Sequence, residues 1–173
     1  LYAGSLNIQF GIIHLLHAID LIANDNYEFW ICVAGEAEKE VEKRCLHDKR
    51  IKYFGYVAKN EILKLQQKAT VLINPRNNEG EYTKYSFPSK TIEYMMSGTP
   101  VIMYKLDGVP DEYDPFLYYI DGNTPQDIAN RIVEVTGKSQ TELDEFGNRA
   151  RQFVIENKNH IVQAGKILSL CSN

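Results

Sequence analysis

Strand-length apolar runs alternate with helix-length amphipathic segments along the whole chain, and that rhythm leaves few folds open. Leu1–Gly4, Tyr27–Ala34, Ile51–Val57, Thr70–Asn74, Pro100–Tyr104 and Leu117–Ile120 read as six strands. Thr70–Asn74 (TVLIN) is a continuous apolar run, the mark of a strand covered on both faces. Helical character falls on Gly11–Ala23, Glu36–Leu46, Asn60–Ala69, Pro88–Ser97, Thr124–Val135, Thr141–Lys158 and His160–Leu170. The first helix shows its period most clearly, with Ile12, Leu15, Leu16, Ile19 and Ile22 at helical spacing. Asn60 is the expected N-cap of the third helix, and Gly98 the C-cap of the fourth. Such alternation implies parallel βαβ units with right-handed crossovers. The fold class is α/β: a three-layer Rossmann-like arrangement with a doubly wound parallel sheet of about six strands.

The 173 residues suit one domain with a full core, so residues 1–173 are read as a single unit. A net charge of −4 provides no global basic field, which argues against nucleic acid and anionic lipid as partners. Phosphate binding, if present, must come from local geometry. No run approaches the roughly 18–20 apolar residues that span a bilayer. No basic segment precedes Leu1, and the chain opens without Met, so the expectation is a domain cut from a longer protein. Cys32, Cys45 and Cys171 are odd in number and far apart, as in reduced cytosolic thiols, and the expected location is cytoplasmic.

In an open parallel sheet, ligands bind at the carboxyl ends of the strands near a topological switch point. The loops leaving those ends are Gly4–Phe10, Gly35–Ala37, Gly55–Lys59, Pro75–Phe87 and Lys105–Pro110. Two to six residues are usual there, so the thirteen of Pro75–Phe87 mark that loop as functional. It carries Arg76, Glu79, Glu81, Lys84 and Tyr85, then runs into the fourth helix.

The first N–H groups of that helix lack intrahelical partners and carry partial positive charge, which suits a phosphate. Pro88 presets the entry, and Ser86 and Ser89 are small enough for an oxygen to approach. Lys90 adds a full positive charge in the same turn. Glu93 lies one turn below Ser89 on the same face, where it would repel a phosphate but accept from a sugar diol. A diphosphate at the helix tip with a ribose beside it fits this pattern. A surface helix with a capping Ser and unrelated charges fits the spacing equally.

The run SFPSKTIEYMMSGTPVI (Ser86–Ile102) resembles the donor-site segment of retaining GT-B glycosyltransferases, the "glycosyl transferases group 1" type. YAGSLNIQFGIIHLLHAI is similar to the first strand and phosphate loop of their C-terminal domain, and RIKYFGYVAKNEILKLQQKATVLINPR to its third strand, helix and fourth strand. The likeness spans about residues 1–136. It implies the donor-binding half of an enzyme that transfers a sugar from a nucleotide-sugar (UDP-, GDP- or ADP-sugar) to a glycan or lipid-linked acceptor. Polysaccharide or glycoconjugate synthesis would be the setting, with retention at the anomeric carbon and no obligatory cofactor or metal. It also implies that an N-terminal acceptor domain is missing here, with peripheral membrane association confined to the full-length protein and the isolated half inactive.

In that family two acidic residues, separated by seven others, flank the donor. Glu93 matches the second, which contacts the ribose. The first falls at Tyr85, which is not a carboxylate, and Glu79 and Glu81 are the candidates to replace it. Relatives often carry basic residues where this chain has Ser5 and Phe10, so phosphate neutralisation shifts to Arg76, Lys84 or Lys90. The expected catalytic set is Arg76, Lys90 and Glu93. The expected donor-binding set is Gly4, Ser5, Tyr56, Arg76, Tyr85, Ser86, Phe87, Ser89, Lys90 and Glu93.

His14 and His17 share a helix face but lack a third ligand, and a solvated face explains them better than a metal. Tyr56 can stack on a base or serve as a half-buried core aromatic. Two other functions stay open: a nucleotide-sugar epimerase of GT-B architecture, and a non-catalytic nucleotide-binding regulatory module.

Overall fold

The computed structural model describes residues 1–78, 83, 85 and 87–171. Five short parallel strands are formed by β1 (Phe29–Ile31), β2 (Ile51–Tyr53), β3 (Leu72–Asn74), β4 (Val101–Met103) and β5 (Tyr118–Tyr119). They alternate with α1 (Ile12–Leu21), α2 (Glu38–His47), α3 (Lys59–Lys68), α4 (Ser89–Ser97) and α5 (Pro125–Thr136). Two further helices, α6 (Gln140–Asn157) and α7 (His160–Cys171), complete the chain.

The segment Leu1–Ala3 joins the β1–β2 pair to the β3–β4–β5 group. Tyr2 N donates to Trp30 O at 2.8 Å, and Cys32 N donates to Tyr2 O at 2.9 Å. On its other side, Leu1 N donates to Val71 O at 2.9 Å and Ile73 N to Leu1 O at 3.0 Å. The sheet therefore runs β2, β1, Leu1–Ala3, β3, β4, β5. The chain moves outward to β2, then returns across the first segment to β3. The switch point lies between Leu1–Ala3 and β3, so two neighbouring strands send their loops in opposite directions there.

Right-handed crossovers put α1 and α5 together on one face and α3, α4 and α6 on the other, as their contacts require. β3 and β4 are buried at every position, which matches the apolar run read from their sequence. Ile12, Leu16 and Ile19 of α1 are fully buried, as are Leu72 of β3, Ile102 of β4, and Tyr94 and Met95 of α4. Gly98 takes the left-handed C-cap conformation (φ 81°) expected of it.

Asn60 is not the N-cap of α3. Ala58 is, in an extended conformation, and its carbonyl accepts from both Glu61 N (2.9 Å) and Ile62 N (3.0 Å). Asn60 thus sits inside the first turn, where the carboxylate of Glu61 complements the helix dipole in place of a capping side chain. No described helix is long and apolar enough to cross a membrane.

Candidate functional site

The loops at the carboxyl edge lock onto one another at the switch point. After Leu1–Ala3, the Tyr2 hydroxyl turns back to donate to Ser5 O at 2.6 Å. Its ring fills the space beside Gly4, where an added Cβ would lie 2.7–2.8 Å from it. The loop then tightens into a 3-10 turn (Ile8–Phe10) capped by the Asn7 side chain. Gly11 ends that turn and begins α1 with φ 81°, a conformation open to glycine at little cost. A Cβ there would fall 2.1 Å from Pro75 O, so the first loop rests directly on the exit of β3.

Neighbouring loops extend the platform. Gly35 lies against the Leu6 backbone, and Ala37 N donates to Leu6 O at 2.9 Å. The Arg76 guanidinium stands over the Phe10 ring, 5.4 Å from its centroid, which brings a cation to the first loop. Asn78 donates to Lys105 O at 2.9 Å and accepts from Asp107 N at 3.2 Å, tying the exits of β3 and β4. At the end of β1, Val33 adopts φ 85°, a strained conformation for a β-branched residue, while its N–H donates to Gly55 O at 2.7 Å.

The starts of α1 to α6 divide into three kinds. α5 and α6 open with complete capping boxes, Thr124 with Asp127 and Ser139 with Glu142. α2 and α3 lack a capping side chain but carry Glu38 and Glu40, and Glu61, in their first turns. α1 and α4 have neither a side-chain cap nor a first-turn acid. These two helices follow the two strands that flank the switch point. Both starts therefore lie at the carboxyl edge beside the switch point with their N–H groups open, and Lys90 adds a formal charge at α4.

The inner face of α4 is anchored to the first strand. The Tyr94 hydroxyl, fully buried, accepts from Ala3 N at 2.8 Å, one residue before Gly4. Burial pushes that phenol far above its ordinary range, so it stays protonated. Thr91 is buried beside it, with its hydroxyl 3.6 Å from Met103 Sδ. On the outer face Lys90 Nζ lies 3.1 and 3.3 Å from the two Glu93 oxygens, and Gln66 Nε2 donates to Glu93 Oε1 at 2.8 Å. Lys90 and Glu93, both assigned to a donor from sequence, thus stand together and half-buried.

The other expected residues spread around this centre. Ser5 and Ser89 are exposed, and Tyr56 and Tyr85 are 85% and 89% exposed. Tyr56 is therefore no core aromatic. Phe87 turns inward to pack on Tyr113 (4.9 Å between centroids), which in turn meets Phe153. That aromatic cluster fixes the chain entering α4. Ser86, Glu79, Glu81 and Lys84 lie outside the described residues. Among the described residues no group of three His, Cys, Asp or Glu side chains is placed to hold a metal. Gln66, Tyr94 and Val33 belong to the site's framework and escaped the sequence reading. Only a buried-face assignment for α3 would have drawn attention to Gln66.

A cavity of about 540 Å³ lies elsewhere, at the amino ends of the strands, lined by Leu1, Leu15, Phe29, Val71 and Ile132 among others. Its lining is mainly apolar, with Glu28 and Lys68 among the polar members, and it lies at the opposite end of the strands from the switch-point loops.

A switch point with two open helix starts on a doubly wound sheet marks an α/β protein whose loop edge suits an anionic ligand. The chain belongs to the glycosyl transferases group 1 family, which it matches over residues 1–157. No curated protein matches it by sequence. Its fold is similar to Anabaena HepE in complex with UDP (16% identity, TM-score 0.78, 99% of this chain and 47% of HepE). It is similar also to the C-terminal domain of the group 1 family protein LpcC from Francisella tularensis (18%, 0.74, 92% and 85%). Sucrose-phosphate synthase from Thermosynechococcus elongatus is a third (18%, 0.76, 98% and 44%). The chain spans about half the length of HepE and of the synthase, and most of the LpcC domain.

Proposed function

We propose that the chain binds the donor of a glycosyltransferase, a nucleotide-sugar of the UDP-, GDP- or ADP- type, and serves a retaining enzyme whose acceptor half lies in another domain. The observation that carries this reading is the pair of uncapped, acid-free helix starts, α1 and α4, on the two strands that flank the switch point. A diphosphate there receives backbone N–H groups and two dipoles, with Lys90 at hand and Arg76 on the adjoining loop. Family membership and the UDP in the HepE structure support the same ligand class.

The chemistry follows from that placement. As the bond from the anomeric carbon to the diphosphate oxygen breaks, its electron pair passes to the leaving diphosphate. Fixed N–H donors and Lys90 stabilise the charge as it grows, without reorganising at the moment of reaction. The acceptor hydroxyl supplies the new oxygen–carbon bond and passes its proton to the departing diphosphate. Glu93, an acceptor-only group when ionised, takes hydrogen bonds from the ribose 2′- and 3′-hydroxyls.

Glu93→Gln tests this role. Calorimetry with UDP, GDP and ADP identifies the tightest ligand, and its 2′,3′-dideoxy counterpart is then compared on both proteins. At about 1.5–3 kcal/mol for a hydrogen bond to a charged group, Glu93→Gln should weaken the ribo ligand roughly 10–150-fold. The dideoxy ligand should bind the native chain as poorly and lose little more with the variant. Additive losses would remove Glu93 from the ribose site.

A further inference from the structure

Gln66 is fully buried in α3, on the same face as Ile62, where the helical pattern calls for an apolar side chain. Its backbone carbonyl accepts from the buried Thr99 hydroxyl at 2.8 Å, so the helix is pinned at this residue. Its side-chain Nε2 donates to Glu93 Oε1 at 2.8 Å. Its Oε1 is buried with no hydrogen-bond partner among the described residues. An unpartnered buried amide oxygen is unfavourable, and methionine would fill the same space without it. The amide is useful at this position only through its N–H.

Glu93 has a second partner of a different kind. Lys90 is half-exposed, one turn away on a flexible stem, and contacts both carboxylate oxygens. A diphosphate at the start of α4 competes for that ammonium. Once Lys90 turns to the phosphate, Gln66 alone fixes the carboxylate. We infer that Gln66 is a positioning residue, whose amide holds Glu93 in the rotamer that meets the ribose diol while Lys90 moves to the diphosphate. This inference rests on the donor-binding reading.

The test uses the whole chain, the tightest of UDP, GDP and ADP, and the 2′,3′-dideoxy form of that ligand. Gln66→Met removes the donor and keeps the volume. It should weaken the ribo ligand roughly tenfold and leave the dideoxy ligand unchanged. Gln66→Glu keeps the shape and donates only when protonated. Placed against Glu93, the new carboxyl should hold its proton to higher pH than usual, with Lys90 the opposing cation. Ribo affinity should therefore be near native at pH 6 and fall at pH 8, a trend that loss of packing alone would not produce. This pair of measurements decides the matter even if Gln66→Met fails to fold. Equal losses for both ligands, or a pH-independent Gln66→Glu, would overturn the positioning role. If Glu93→Gln separates the two ligands and the Gln66 variants do not, only Gln66 is excluded. If Glu93→Gln fails to separate them, or no diphosphate binds, the donor reading falls and this inference with it.

Discussion

The starts of α4 and α5 use the same backbone chemistry to opposite ends. At α5, Thr124 accepts from Asp127 N while the Asp127 carboxylate takes the Thr124 N–H (2.9 Å) and hydroxyl (2.6 Å), so the helix satisfies itself. At α4, Pro88 offers no side-chain acceptor and the first turn holds Ser89, Lys90 and Thr91, with no acid. One terminus is closed by its own anion. The other keeps the field that an external anion would neutralise. Position sharpens the contrast, since α4 rises from the exit of β3 at the switch point, whereas α5 follows the edge strand β5.

Giving α4 an acid should erase the difference. Ser89 is exposed in the first turn, so Ser89→Asp brings a carboxylate to the helix start without disturbing the core. The helix gains about 0.3–1 kcal/mol from its dipole, while nucleoside diphosphate affinity should fall on the order of 100-fold. Stability and binding then move in opposite directions, which no global defect produces. Gln140→Asp at the equivalent exposed position of α6 is the control, and affinity should not change. Undiminished binding by Ser89→Asp, measured by calorimetry, would break the comparison.

Opening the closed terminus is the smaller perturbation. Thr124→Ala should lower the unfolding midpoint by about 2–4 °C and leave ligand affinity alone. The Thr124 hydroxyl and N–H hold the Asp127 carboxyl below the usual carboxylate range, and Ser139 does the same for Glu142. A depressed folded value means stability that is present above the unfolded value and lost as pH falls through the folded one. The gap between native and Thr124→Ala midpoints should therefore be largest near neutrality and narrow below pH 4. A gap that widens on acidification would contradict the capping account.

Much of this contrast was legible in the sequence, because it is local. Pro88, Ser89 and Lys90 are adjacent, and Glu93 is one turn on; the strand–helix alternation and the apolar β3 run announced the fold. Long-range geometry was not legible. Gln66 and Gln67 are indistinguishable as letters, and only the packing of α3 on α4 directs the first at Glu93. Nothing near Tyr94 in sequence signals that its hydroxyl accepts from Ala3 N, ninety-one residues away. Val33 gives no cue to a positive φ, since glycine is the residue that normally marks one. Asn60 misled for a related reason. A good capping side chain was present, but the cap lies two residues earlier, at Ala58, and Lys59 begins the helix.

The central claim is that an external diphosphate takes the place at α1 and α4 that Asp127 and Glu142 take at α5 and α6. Backbone amide shifts of the 15N-labelled chain, followed by NMR through a titration with a nucleoside diphosphate, address it directly. The account predicts saturable shifts at Ser89 and Lys90 of α4 and at Ile12 and Ile13 of α1, with Gln126 and Glu142 unmoved. Shifts confined to α5 and α6, or to Phe29, Val71 and Ile132 around the apolar cavity, would contradict it.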